Sequence, residues 1–236
     1  MKPLSGFLGL LLLAPGARLA QADTLISYQI NGGAVITCTV GVDMLFIPCG
    51  PSNIGAGVVL SVDAAGTSGI STSLLDATVS IMNTGGATDR LLIWISAQDF
   101  LAPTTPPNVG FSSTLSTTST AGAGTTEMES CIDQANGLAP PLCSVPAGTL
   151  TNPVEVYSGV SFETNTVTST ISSLTAPYSI AEEITIVLGP GTILPVTTSL
   201  SVTSVPEPMS ITLLGGVVLL TLRAIRRKRN QEASRV

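Results

Sequence analysis

A chain of 236 residues with a mean hydropathy of +0.51 and only 10% charged residues can hold one domain with a real core once its apolar ends are set aside. The net charge of -6 conceals an asymmetry: between Asp23 and Val205 thirteen acidic residues stand against Arg90 alone, about -12, and the other basic residues gather at the two ends. An acidic body repels nucleic acid phosphates, and the lack of any histidine removes Ser-His-Asp and Cys-His catalysis and the usual zinc and iron ligands.

Residues 1–22 carry the three parts of a signal peptide: Lys2 in a short basic start, an apolar run from Phe7 to Ala14, and the small-residue pattern Ala20-Gln21-Ala22. A signal helix is expected there, with cleavage between Ala22 and Asp23. Pro15 and Gly16 break the run, which is far shorter than the ~20 residues a membrane span needs.

Behind it, runs rich in Val, Ile, Leu and Thr recur between Gly, Pro, Asn and Ser clusters. They are Leu25 to Ile30, Ala34 to Val40, Val58 to Val62, Ala77 to Met82, Leu91 to Ala97, Val154 to Phe162, Ile180 to Leu188 and Ser199 to Val205. Their length and spacing predict strands, and no window between the two ends holds a capped helical period. Alternation in Ala77 to Ile81 and Leu91 to Ile95, with Asn83-Thr84-Gly85-Gly86 between, predicts a β-hairpin. The whole of 23–205 reads as one all-β domain, an antiparallel β-sandwich of Ig-like or jelly-roll kind whose strand order stays open. Within it, the Thr, Ser, Pro and Gly-rich stretch around 102–153 is expected to form a long surface loop.

Cys38, Cys49, Cys131 and Cys143 fall into two pairs, each spanning a short local stretch. An exported chain favours disulfides. Of the three connectivities, Cys38 to Cys49 and Cys131 to Cys143 close the shortest loops, each stabilising by ~2–3 kcal/mol in the chain-entropy account. A four-thiolate zinc site is the rival, but no Cys-x-x-Cys spacing supports it.

The most specific pattern lies at 206–236. Val205-Pro206-Glu207-Pro208 is followed by an apolar run from Met209 to Leu222 and then by Arg223, Arg226, Arg227, Lys228 and Arg229. Two prolines around one carboxylate hold the chain extended, and the apolar run predicts a short transmembrane helix that local thinning and snorkelling accommodate. The basic cluster stays cytoplasmic, which places 23–205 on the outer side of the inner membrane. These parts in this order resemble the PEP-CTERM sorting tail of exopolysaccharide-producing bacteria, with Pro206, Glu207 and Pro208 matching its name-giving tripeptide. The resemblance is confined mainly to the tail, with a loose further similarity where Pro177-Tyr178-Ser179-Ile180 leads to Ile184 to Leu188. It implies recognition by an exosortase, an integral-membrane cysteine transpeptidase, so that the three residues are read as part of a substrate and not as catalysts. Signal peptidase and exosortase are then the expected processing partners. The domain starts on the periplasmic side and reaches the cell surface or the outside after sorting, where exopolysaccharide or another matrix component is the candidate partner.

Chemistry within 23–205 is sparse. No Gly-x-Ser-x-Gly elbow, Walker loop or dinucleotide fingerprint is present, and no catalytic residue, metal site or cofactor is assigned. Carboxylates that could serve a glycosidase are Asp63, Asp76, Asp89, Asp99, Glu127, Glu129, Asp133, Glu163, Glu182 and Glu183, but one Trp and three Tyr leave few platforms for stacking sugars. Calcium is the one candidate cofactor, since Glu127, Glu129 and Asp133 crowd the stretch around Cys131; a solvated acidic loop is the simpler reading. Thr-rich runs such as Thr114 to Thr120 raise ice binding, yet they show no regular Thr-x-Thr ladder and are read as loop. The reading is therefore a non-enzymatic structural or adhesive surface protein, with a carbohydrate-binding module or a glycosidase as the alternative.

Overall fold

The computed structural model describes residues 20–21, 23–38, 47–54, 57–69, 71–105 and 108–205, and among these the chain is all-β with no helix. The early strands are β1 (Ala20–Gln21), β2 (Thr24–Ile30), β3 (Ile36–Cys38), β4 (Ile47–Asn53), β5 (Val58–Ser68) and β6 (Thr72–Asn83). They are followed by β7 (Asp89–Phe100), β8 (Val109–Ser119), β9 (Ala123–Asp133), β10 (Pro146–Ser158), β11 (Ser161–Ile171), β12 (Tyr178–Leu188) and β13 (Ile193–Ser204). In β5 and β8 every second residue is buried, the period that one core-facing sheet face requires.

Two antiparallel sheets form a β-sandwich. Sheet A runs β1-β5-β6-β13-β8-β11, with β4 also on β5, and sheet B runs β10-β9-β12-β7-β2-β3. The core lies between them. Leu60, Phe111, Leu115 and Leu200 from sheet A meet Ile26, Ile93, Met128 and Ile184 from sheet B, all but fully buried. Each such side chain stabilises by about 1.5–3 kcal/mol relative to exposure. Phe100 stacks on Tyr178 with ring centroids 5.7 Å apart, and the Tyr178 hydroxyl donates to the Ala102 carbonyl at 2.9 Å.

From β5 to β11 sheet A is regular, its one register shift lying between β4 and β5. Pairing of β5 with β6, β6 with β13, β13 with β8 and β8 with β11 proceeds without a bulge, whereas sheet B shifts register in β10 and at Tyr178.

Several expectations are corrected. The alternating runs around Asn83 do not form a hairpin: β6 lies in sheet A and β7 in sheet B, so the link is an arch that folds two apolar faces onto each other. Asn83 holds that arch, its Nδ2 donating to the carbonyls of Ala87 at 2.9 Å and Leu188 at 3.1 Å. Val154 to Phe162 is not one strand, because Gly159, at φ 72°, turns the chain from β10 in sheet B into β11 in sheet A. The stretch around 102–153 is mostly β8, β9 and the first half of β10 and not a long loop. Thr is β-branched and favours strands, and alternation with buried Val109, Phe111 and Leu115 outweighs a loop-like composition.

The expected terminal helices fall largely outside the described residues. Where 1–22 is described, Ala20 and Gln21 are strand and not helix, paired with Ser68 and Thr67. Among the described residues no helix is long and apolar enough to cross a membrane.

Candidate functional site

Ala22, the tripeptide Pro206 to Pro208, the run Met209 to Leu222 and the basic residues Arg223 to Arg229 lie outside the described residues. Their flanks are described. Asp23 is exposed, and its carbonyl accepts the Gln98 N–H at 2.9 Å. At the other end, the Val205 N–H donates to the Asn108 carbonyl at 2.9 Å directly before the tripeptide. The expected Cys131–Cys143 disulfide is present. Cys38 is also disulfide-bonded, and the side chain of Cys49 lies outside the described residues.

The carboxylates are dispersed over both sheets, and several are engaged in structure. Asp89 accepts the Asn31 amide at 2.7 Å, and Asp99 accepts the Asn136 amide at 2.7 Å. Glu155 is buried and accepts from Thr117 Oγ1 at 2.5 Å and Asn165 Nδ2 at 2.7 Å, which ties β8, β10 and β11 at the sandwich edge. Nothing in the sequence marks Glu155 or Asn165 for this role; only their inward register in the structure reveals it. Asp133 closes the 134–145 loop. It accepts N–H groups of Ala135 at 3.0 Å, Val145 at 2.9 Å and Ser144 at 3.2 Å, and the Ser144 hydroxyl at 3.0 Å. Burial works to raise its pKa, but these four donors outweigh it and hold the carboxyl below its ordinary value. Glu127 and Glu129 stay exposed on β9, and among the described residues no three His, Cys, Asp or Glu converge to hold a metal ion.

Two acidic neighbourhoods remain. On the outer face of sheet B, Glu183 stands opposite Glu129 on one flank and Trp94 on the other, and Trp94 Nε1 donates to Glu183 Oε2 at 2.7 Å. Trp94 is covered by the disulfide loop through Cys131, Ala139, Leu142 and Cys143, so it presents no stacking platform. On sheet A, Asp63, Asp76, Thr78 and Thr197 line an open depression of about 220 Å³. Directly beneath, Glu182 from β12 is fully buried and accepts Thr198 Oγ1 at 2.6 Å, while its Oε2 has no partner. Desolvation by burial pushes its pKa up to about 8, and the charge of Asp76 adds to the rise against the Thr198 bond.

The outer face of sheet A also overturns a sequence expectation. Along β11, Thr164, Thr166, Thr168 and Thr170 are all exposed on one side, a Thr-x-Thr ladder that composition alone had concealed. The register continues it across the sheet in straight rows: Thr164, Ser116 and Thr197; Thr166, Thr114 and Ser199; Thr168, Ser112 and Ser201. Neighbouring hydroxyls bond along the rows, Thr114 to Thr166 at 3.0 Å and Ser116 to Thr164 at 2.9 Å. No outward position of these three strands between the ends of the rows carries a charge. The signal was available in 161–171, where every second residue is Thr, but no large apolar residue drew attention to it.

No family model matches this chain, and no curated protein matches it. Among solved structures, it is similar to the CBM22-1 and GH10 modules of Clostridium thermocellum endo-1,4-beta-D-xylanase 10B complexed with xylohexaose, at 9% identity and a TM-score of 0.30 over 56% of this chain and 22% of that one. It is also similar to the enzymatically active domain of bacteriophage CBA120 tailspike protein 4, at 14% identity and a TM-score of 0.28 over 61% of this chain and 19% of that one. The chain thus spans about a fifth of the length of each.

Proposed function

We propose that this chain is an exported cell-surface or extracellular-matrix protein that is sorted by an exosortase through its PEP-CTERM tail and plays a structural or adhesive, non-enzymatic part. The observation that carries the reading is the tail itself: Pro206, Glu207 and Pro208, the apolar run from Met209 to Leu222 and the basic cluster, in that order. The fold supports it at the point of attachment. The tripeptide follows β13, a central strand flanked by β6 over eleven residue pairs and by β8 over nine, so load on the tail is borne by two full ladders. The same reading takes the scaffold as a jelly roll: β6-β13-β8-β11 and β7-β12-β9-β10 interleave as two Greek keys do.

The test is the intact mass and location of the protein from its native host, with and without the exosortase and with Glu207→Ala. Sorting requires a mature form that begins at Asp23, ends near Pro206 and leaves the membrane only when enzyme and motif are both intact. A chain that keeps its tail through Val236 in the membrane of every strain overturns it.

A second reading, a carbohydrate-binding module or glycosidase on this scaffold, is supported by the adjacency of Glu183 and Glu129, whose Cβ atoms as direct cross-strand neighbours lie ~4.5–5.5 Å apart. It requires that Glu183→Gln abolish hydrolysis or binding of an envelope polysaccharide without lowering stability.

A further inference from the structure

We propose that the outer face of β13, β8 and β11 binds ice. An ice face is a rigid, flat, uncharged lattice of water oxygens, each of which needs hydrogen-bond donors and acceptors. The protein face answers two of those properties, the lack of charge and the need for donors and acceptors. Thr and Ser hydroxyls both donate and accept, and the rows hold them in continuous register because sheet A runs without a bulge through these strands. Thr is stiff at χ1 and the hydroxyls already bond to one another along the rows, so adsorption orders little that is not ordered beforehand. Strand geometry sets the repeat at ~4.8 Å along each row and ~6.8 Å from one row to the next, a regular two-dimensional array for a lattice to meet. Thr methyl groups between the hydroxyls supply apolar surface against which water orders.

Charge favours this occupant as well. The body of the chain is strongly acidic, yet on β13, β8 and β11 the rows carry no charge, and the nearest carboxylate in register is Asp76, opposite Ser199 on β6. A polysaccharide is the less suitable occupant, because sugar sites use aromatic platforms, whereas this face has only Phe162 at one end and the depression beside Thr197 is lined by Asp63, Asp76 and Thr78 with no aromatic. The proposal rests on this face alone and is independent of the sorting reading.

The full-length chain is tested by partition into slowly growing ice and by thermal hysteresis. Wild type is expected to concentrate in the ice and to shape crystals. Thr114→Lys with Thr166→Lys is expected to lose both effects, while Thr151→Lys, on the exposed outer face of sheet B, retains them. Thr168→Lys, on the edge strand, repeats the test should the central pair fail to fold by circular dichroism. Exclusion of wild type from ice overturns the proposal, as does equal behaviour of the variants on the two faces. Binding to insoluble β-glucan without ice partition overturns it in favour of a polysaccharide. A dimer that dissociates with Thr114→Lys and Thr166→Lys, with no ice partition, assigns the face to a second copy and also overturns it.

Discussion

Glu182 enters the core from β12 with one oxygen bonded to Thr198 and the other bare, and burial raises its pKa to about 8. Because the folded value lies above the unfolded one, the carboxyl favours the fold when protonated; that contribution is complete below the ordinary value of 4.5 and is lost as pH rises through about 8. Glu182→Gln keeps the shape and the Thr198 bond but cannot ionise. Thermal melts are expected to coincide with wild type at pH 4, below the unfolded value, and to lie at least ~2–4 °C higher at pH 9, the shift that ~1 kcal/mol gives in a domain of this size. Equal melting of both proteins at pH 9 refutes this account of Glu182. Asp133 works in the opposite sense. Its depressed pKa means that its contribution is present at neutral pH and is lost as pH falls through the folded value. Asp133→Ala leaves three N–H groups without their acceptor and is expected to cost at least about 2 kcal/mol at pH 7, with the difference narrowing towards pH 3.

The 134–145 loop is the element whose removal can be read most directly. The Cys131–Cys143 bridge encloses it, Asp133 ties it at the base, and Ala139 reaches across to donate its N–H to Ser96 Oγ at 3.0 Å. Beneath it sits the only tryptophan of the chain. Replacing both cysteines by alanine is expected to cost ~2–3 kcal/mol through the freed loop. It should also red-shift and quench the Trp94 emission below the melting transition. Unchanged emission would mean that the hydrogen bonds alone hold the loop over Trp94. Legibility divides along the same line. The bridge, the all-β class and the strands around Ile180 to Leu188 were readable because local closure and apolar runs are local properties. The β6 to β7 arch was not, since alternation looks the same whether two strands pair or face each other across a core. Nor was β11, where Thr164 to Thr170 alternate with Asn165, Val167 and Ser169 and leave no apolar stripe to count. The hydroxyl face exists only through register, which brings Thr166, Thr114 and Ser199 from distant parts of the sequence into one row.

At the scale of the whole molecule the dominant electrostatic feature is an excess of one sign. Thirteen acidic residues between Asp23 and Val205 face a single cation, Arg90, which is exposed on β7. One cation can neutralise only its nearest neighbours, so attractive pairs cannot balance the repulsion summed over the two sheets. Repulsion among exposed charges acts over ~30 Å at 0.01 M salt and over ~8 Å at 0.15 M. Added salt therefore relieves the folded sandwich more than the expanded chain, in which the same charges stand farther apart. Residues 23–205 are expected to melt a few degrees higher in 0.15 M than in 0.01 M sodium chloride at pH 7.5, with most of the gain below 0.15 M. A melting temperature that falls over that range would show that specific attractions, those with Arg90 first, outweigh the field of the whole. A flat response would show that the acidic side chains are already spaced beyond mutual reach. The predicted rise also separates this body from its ends: the basic residues from Arg223 to Arg229 supply the only concentrated positive charge of the sequence, and they lie beyond Val205, outside the acidic stretch.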